Sequence, residues 1–401
     1  MQLPNPSEVD ERVASGVGSP ASLRSANRQR VLDLLRTTGS VSQSEIARRT
    51  GLSRATVSNI VRELRESDWI TVRALPAAVG NDTGRRGTGI VLNQRAGLVL
   101  ALDFGHNVLQ EDHRELPADH GAEEDLPLAA EVVDSLLIAV GAPRSAVLGI
   151  GMGLAGPVDP VTGEVRSPAI LPGWVGVPAK AAMSDHLGLP VLVDNDANLG
   201  ALGELTWGAG VGARHLLYIK ASYGVGAGLI LDGRLYGGSG GIAGEIGHVT
   251  VDDRGALCQC GDRGCLETLA GSEALLSLLR RSYGANLTIT DAIAKAVGGD
   301  SGCRRIIADA GRAIGIAVAA ACSLLAPERV VIGGTLAAAG AILLAPMRDV
   351  VRRHAMHTIP DNAQIVAGAL GERAEVLGGL ALALRSADRL AAQPKVPLVP
   401  I

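Results

Sequence analysis

The sequence predicts an α/β protein with two parts: a small helical N-terminal module that ends in two strands, and a larger body in which buried strands alternate with helices. The chain has 401 residues, which is too long for one compact core. Apolar residues make up 47% of it but aromatic residues only 2%, so its cores must consist of Leu, Val, Ile and Ala. Residues 23–95 carry 13 Arg against 6 acidic residues, whereas the whole chain has a net charge of -4.

The N-terminal segment, residues 1–22, is polar and contains Pro, Gly and Ser, so we expect a flexible arm. It lacks the apolar run of a secretion signal. Five cysteines, an odd number, do not indicate a disulfide framework. The longest apolar stretch, around residues 313–326, is too short to span a bilayer. These features predict a cytoplasmic protein that does not bind membranes.

Residues 23–95 have the pattern of a winged helix-turn-helix. An amphipathic helix begins near Ala26, and a short second helix, which Ser42 or Ser44 can cap, ends at Gly51. Ser53 caps a third helix that is rich in small polar residues. Residues 69–72 and 89–92 then alternate like the two strands of a wing.

The basic charge of this module indicates contact with double-stranded operator DNA. Base edges are read near the start of a recognition helix, and wing arginines can enter a minor groove or bind phosphates. An ordinary basic surface and a three-helix module that binds protein are the alternatives. The candidate DNA-binding residues are Arg54, Thr56, Ser58, Asn59, Arg85 and Arg86.

The body divides into a first half, residues 97–200, and a second half, residues 201–376, with a closing helix at 377–390 that packs back on the first half. In the first half, a buried strand at 190–193 delivers Asp194, Asn195 and Asp196 at its C-terminal end, where ligands bind in α/β folds. Capping of the following helix is the alternative role for the two aspartates. In the second half, a Gly-rich turn at 222–228 suits a phosphate or a plain hairpin equally.

The second half also contains a candidate metal site. His248 is followed by Cys258, Cys260 and Cys265, and one imidazole with three thiolates completes a tetrahedral zinc site. Four protein ligands leave no open position, so the predicted zinc is structural. A chance cluster of cysteines in a loop is the alternative. Glu245 and Glu267 flank the ligands, where they can face a polyol.

The segments 245–248 and 258–267 closely resemble the zinc signature of the ROK family (repressors, open reading frames, sugar kinases), and the resemblance extends over about residues 23–388. It implies a duplicated ribonuclease-H-like body of the actin/hexokinase type, a homodimer or homotetramer, and an N-terminal domain found in ROK repressors but absent from ROK sugar kinases. It also implies that Asp196 matches the general base of the kinases. The sugar-binding residues implied by the resemblance are Asn195, Asp196, Glu245, His248 and Glu267.

Three departures from the kinase pattern concern the nucleotide site. Asn107 and Tyr223 stand where the kinases have Thr, and the polar stretch 107–128 is too short for the hairpin that covers the phosphates. Phosphoryl transfer depends on such phosphate contacts. We therefore expect no enzyme activity, but a sugar-responsive repressor of carbohydrate metabolism genes, with a small-molecule sugar as effector. An ATP-dependent sugar kinase is the alternative.

Overall fold

The structure, a computed structural model, describes residues 27–28, 30–31, 34, 42–66, 70–74, 88–92, 98–99, 121–167, 170–284, 286–355 and 363–391. These residues divide into two compact units. One comprises the chain up to residue 112 together with 136–148, and the other comprises 113–135 together with 149 onward. The expected flexible arm at residues 1–22 lies outside the described residues.

The N-terminal unit contains the predicted helices. Helix α1 (Gln43–Thr50) begins at Ser42, whose hydroxyl accepts a hydrogen bond from Glu45 N at 3.2 Å. It ends at Gly51, whose φ of 70° is the left-handed conformation that glycine adopts without strain. Helix α2 (Arg54–Glu66) is capped by the Ser53 hydroxyl, which accepts from Thr56 N at 3.1 Å. One face of each helix is buried, with Ile46 of α1 and Val57, Ile60, Val61 and Leu64 of α2 in the core, and Val31 earlier in the chain is buried as well.

The predicted wing is a two-stranded antiparallel hairpin. Strand β1 (Ile70–Ala74) pairs with strand β2 (Thr88–Leu92) in a register that places Ile70 opposite Leu92 and Ala74 opposite Thr88. The tip of the wing, with Arg85 and Arg86, lies outside the described residues. The helix-turn-helix and both strands of the wing are therefore confirmed, while the placement of the two wing arginines stays a prediction.

The body alternates strands and helices, as the sequence predicts. Its strands are β3 (Leu98–Val99), β4 (Val147–Leu154), β5 (Val191–Asn195), β6 (Leu216–Ala221), β7 (Val225–Leu231), β8 (Arg234–Leu235), β9 (Arg329–Gly333) and β10 (Gln364–Ala367). Its helices are α3 (Ala122–Val140), α4 (Ala179–Leu187), α5 (Asp196–Trp207), α6 (Glu267–Ala270), α7 (Ser272–Tyr283), α8 (Ile289–Val297), α9 (Ser301–Leu325), α10 (Ala341–His354) and α11 (Ala374–Ala391). Helix α3 begins with an acidic first turn, where carboxylates interact favourably with the helix N-terminus.

Two sheets organise the second unit. Strands β4 and β5 pair in parallel, with Leu154 opposite Asn195 at their C-terminal ends. The larger sheet has the order β10-β9-β6-β7-β8, in which β10, β9 and β6 are parallel and β6, β7 and β8 form antiparallel pairs. The ends of β5 and β6 carry the polar side chains that form the site described below.

Helix α9 lies in the largest apolar core, with Ile307, Ile314 and Val318 fully buried. By length and composition it is the one helix in the described part of the chain that is apolar enough to cross a membrane, but 56% of that apolar window is buried within the protein. Burial on this scale is the pattern of a core helix.

The closing helix α11 packs against the first half of the body, where glycines allow close approach. A Cβ atom on Gly378 would lie 1.7 Å from Leu199 O of α5, and one on Gly379 would lie 2.8 Å from Gly151 O of β4. Glu204 on α5 adds polar contacts, because its buried carboxylate accepts from Ala369 N and Leu370 N just before α11. Helix α11 is thereby held beside the end of β5.

Candidate metal centre and sugar cleft

The structure brings His248, Cys258, Cys260 and Cys265 together, and their ligand atoms all lie within 4.8 Å of one another. His248 Nδ1 is 3.7 Å from Cys258 Sγ, and Cys260 Sγ is 3.6 Å from Cys265 Sγ. Sulfur atoms bound to one zinc ion at about 2.3 Å in a tetrahedron are separated by about 3.8 Å. The donor types and spacings therefore fit a metal ion that takes soft ligands.

The backbone of the cluster explains why the segment folds this way. Gly261 and Gly264 have φ values of 95° and 69°, and a Cβ atom on Gly264 would lie 1.5 Å from Asp252 O. The amide of Asp262 hydrogen-bonds to Cys260 and lowers the pKa of that thiol, as expected for a sulfur that binds metal as a thiolate. Burial, together with the neighbouring Cys260 and Cys258, raises the pKa of Cys265 to about 12.

His248 connects this cluster to the predicted sugar residues. Its Nδ1 faces Cys258, while its Nε2 lies 3.9 Å from Glu245 Oε2. Burial raises the pKa of Glu245, and the nearby charges of Asp196 and Glu267 raise it further, against an opposing effect of His248. Glu245, Asp196 and Glu267 thus share one region of the body.

Asp196 stands at the first position of α5 and Asn195 caps that helix. The Asn195 side-chain oxygen accepts from Ala197 N and Asn198 N, while its amide nitrogen donates to Gly156 O and to Asp196 Oδ1. The alternative role of helix capping therefore falls to Asn195, whose amide is fully used, and not to the aspartates considered from sequence. Asp194 instead accepts from Asn198 Nδ2 at 2.8 Å.

Two residues that sequence reasoning missed complete the region. Lys220 Nζ lies 2.7 Å from Asp196 Oδ2 and 3.1 Å from Glu375 Oε1. The available signal was a single lysine in the otherwise apolar strand LLYIKA, because a buried ammonium requires a carboxylate partner. No local pattern identified Glu375, which lies in the first turn of α11.

Glu267 lies against the Gly-rich turn between β6 and β7. Its Oε2 accepts from Val225 N at 3.2 Å, and a Cβ atom on Gly224 would lie 2.7 Å from the same oxygen. Tyr223 projects outward and is 76% exposed. An amide of the turn that could face a phosphate therefore already binds a carboxylate. Residues 101–120, which include Asn107 and most of the predicted gap in the phosphate-binding hairpin, lie outside the described residues.

The candidate DNA-binding residues of α2 differ in their surroundings. Arg54, Ser58 and Asn59 are exposed, whereas Thr56 is half-buried and its hydroxyl lies 2.8 Å from the Ser53 hydroxyl. Arg62, which sequence reasoning did not select, is exposed and donates to Asn59 Oδ1 at 3.3 Å. The exposed face of α2 is thus basic and polar from its first turn to its third.

Comparison with known families identifies both parts of the chain. A model of the ROK family matches residues 98–386, and a model of winged helix-turn-helix DNA-binding domains matches residues 24–71. The chain belongs to the ROK family. Its fold is therefore the expected one, a winged helix-turn-helix followed by a ROK body.

Relatives of this ROK protein include regulators and kinases. The xylose repressor of Caldicellulosiruptor bescii is 29% identical over 92% of this chain and 98% of its own length. A glucokinase of Halalkalibacterium halodurans is 36% identical, but over 62% of this chain and 80% of its own length. The crystal structure of a ROK family transcriptional regulator, a homolog of the E. coli MLC protein, superposes with a TM-score of 0.77 at 25% identity, covering 92% of this chain and 98% of that one.

Proposed function

We propose that this protein is a sugar-responsive transcriptional repressor of carbohydrate metabolism genes. The observation that carries the proposal is the presence on one chain of a winged helix-turn-helix and a ROK body with a cluster of polar sugar-type ligands. The similarity to the xylose repressor covers 92% of this chain, whereas that to the glucokinase covers 62%. The response to sugar then follows if sugar binding changes the affinity of the winged domain for operator DNA.

The sugar is held, in this proposal, by Asp196, Glu245, His248 and Glu267. Carboxylates and an imidazole nitrogen accept hydrogen bonds from hydroxyl groups. Asn195 belongs to the set as the residue that orients Asp196, since its own amide is already used. The shared region of these carboxylates supports the assignment.

The metal in the His248, Cys258, Cys260 and Cys265 cluster is proposed to be zinc with a structural role. Bound zinc supplies cross-linking of the four ligands without an open position for chemistry. His248 contacts both Cys258 and Glu245, so a rigid cluster restricts the position of Glu245 through this side chain. The cluster thereby orients the sugar site.

We propose that Arg54, Ser58 and Asn59 contact the bases of operator DNA. Thr56 stabilises the start of α2. Arg85 and Arg86 bind phosphates or enter a minor groove. A homodimer or homotetramer in the cytoplasm places two winged domains on two half-sites. The exposed face of α2 supports this assignment.

The second candidate function, an ATP-dependent sugar kinase, is favoured by the match to glucokinases and by Asp196. Two contacts and one replacement oppose it. The Lys220 ammonium lies 2.7 Å from Asp196 Oδ2, Val225 N donates to Glu267, and the exposed Tyr223 stands where the kinases have Thr. We propose that the protein has no kinase activity.

Two parallel assays on the purified full-length protein test this function. One measures ADP release with ATP and a panel of sugars, and the other measures gel-shift binding of DNA from upstream of its own gene against a shuffled duplex. We expect selective DNA binding and no sugar-dependent ADP release. ADP release with no selective DNA binding would establish the kinase instead, and both activities together would overturn only the non-enzyme assignment.

A further inference from the structure

Lys220 is the central cation of a partly buried ion-pair cluster. Its side chain is 19% exposed, while those of its partners Asp196 and Glu375 are 24% and 29% exposed. Burial alone would lower the pKa of Lys220, but the charges of Asp196 and Glu375 outweigh burial and raise it above its ordinary value. The ammonium is therefore charged, and its position is fixed by two carboxylates from different elements.

Negative charge dominates the surroundings of this ion pair. Burial raises the pKa of Glu375, Lys220 opposes that effect, and the charges of Asp196 and Glu372 add to it. Glu245 and Glu267 line the same region beyond Asp196. One ammonium thus faces several carboxylates, and it is already paired with two of them.

Two backbone N–H groups of this region that could face a phosphate, Ala197 N and Val225 N, already donate to side-chain oxygens. Helix N-termini and Gly-rich turns attract anions through free N–H groups. At the start of α5, Ala197 N donates to Asn195 Oδ1 and Asp196 Oδ1. In the turn between β6 and β7, Val225 N donates to Glu267 Oε2. The start of α11 carries Glu375 in its first turn.

From these contacts we infer that the effector is a sugar without a phosphate group, and that Lys220 is a positioning residue that holds Asp196 for a sugar hydroxyl. The inference rests on the proposed function and narrows its ligand. A ligand bound at Asp196 would face the carboxylates of Glu245, Glu267 and Glu375. A phosphate ester there would place a dianion against Asp196 and Glu375, whereas a neutral hydroxyl can donate to Asp196 Oδ2.

Isothermal titration calorimetry of the full-length protein tests the ligand class. Three matched pairs are compared at low and high salt: glucose, mannose and N-acetylglucosamine, each with its 6-phosphate. We expect one neutral sugar to bind at least about tenfold more tightly than its phosphate, with little dependence on salt. A phosphate that binds as tightly as its parent sugar, or more tightly, would overturn the inference. Binding of neither form would instead remove the proposed sugar response itself, and the inference with it.

Two variants test the role of Lys220. Lys220→Met should weaken binding of the neutral sugar by about tenfold or more while leaving operator binding intact, and Lys295→Met, an exposed lysine on α8, is the matched control. Glu375→Gln removes one negative charge with little change of shape, so it should narrow the preference for sugar over sugar phosphate. A merely structural role would not change that preference. Unchanged sugar affinity in Lys220→Met together with unchanged preference in Glu375→Gln would refute the positioning role.

Discussion

At the scale of the residue, the imidazole ring of His248 contacts both the cysteine cluster and Glu245. Its Nδ1 faces the cysteine cluster and its Nε2 faces Glu245, so the proposed metal ligand and the proposed sugar ligand are the same side chain. An imidazole bound to metal through one nitrogen keeps a fixed orientation and a defined role at the other. Loss of the metal should therefore change the orientation of His248 and weaken sugar binding.

Cys258→Ala should abolish stoichiometric zinc binding and the response to sugar, because three remaining ligands hold zinc far more weakly. Elemental analysis of the purified protein measures the metal per chain. Cys322→Ala, which changes a buried cysteine of α9 outside the cluster, is the control and should retain full zinc. Full zinc content in the Cys258 variant would mean that the ligands were assigned wrongly.

The sequence was sufficient for the metal cluster but not for Lys220 and Glu375. The cluster ligands lie close together in the chain and their residue types define their chemistry, so spacing and residue type together predicted the site. Lys220 and Glu375 come into contact only because α11 packs near β6 in the folded protein. No local sequence pattern predicts a contact between residues so far apart in the chain. Likewise, the sequence suggested Asp194 or Asp196 as the alternative cap of α5, whereas the structure assigns the cap to Asn195.

At the scale of the element, the contact of α11 with α5 depends on glycine. The sequence predicted this closing helix at 377–390, and the structure places it at Ala374–Ala391. Which glycines would lie at helix contacts was not predictable, since it depends on the distance between two backbones. Gly378 and Gly203 both face backbone atoms across this contact.

Gly378→Ala should lower the free energy of unfolding by about 3 kcal/mol or more, because the added methyl group overlaps Leu199 O and the two helices must separate. Urea unfolding followed by the fluorescence of the buried Trp174 measures the change. Gly298→Ala adds a methyl group in ordinary φ with its nearest neighbours at 3.3 Å and should change stability far less. Equal stability of the two variants would show that the helices do not pack this closely.

Arg54→Ala should weaken operator binding by about tenfold or more, since an exposed arginine in the first turn of a recognition helix contacts DNA. Anisotropy titration with a labelled operator measures the loss. Arg281→Ala removes an exposed arginine of α7 in the body and should leave the affinity unchanged. If the two variants bind alike, α2 is not the reading helix.

At the scale of the whole molecule, the chain joins a basic DNA-binding module to an acidic body that has the fold of sugar kinases. Differential binding of a sugar to two conformations of such a body is sufficient to change the affinity for DNA. The same free energy couples both ligands, so operator DNA should change the affinity for sugar by the same factor.

The most direct test of this account measures sugar and DNA binding on one sample. Anisotropy of labelled DNA from upstream of the protein's own gene is followed during titration with the sugar identified by calorimetry, for the wild-type protein and for Glu245→Ala, with and without ATP. The account predicts selective DNA binding by both proteins, a shift in affinity by sugar in the wild type alone, and no effect of ATP. A sugar response that persists in Glu245→Ala, or one that requires ATP, would contradict it.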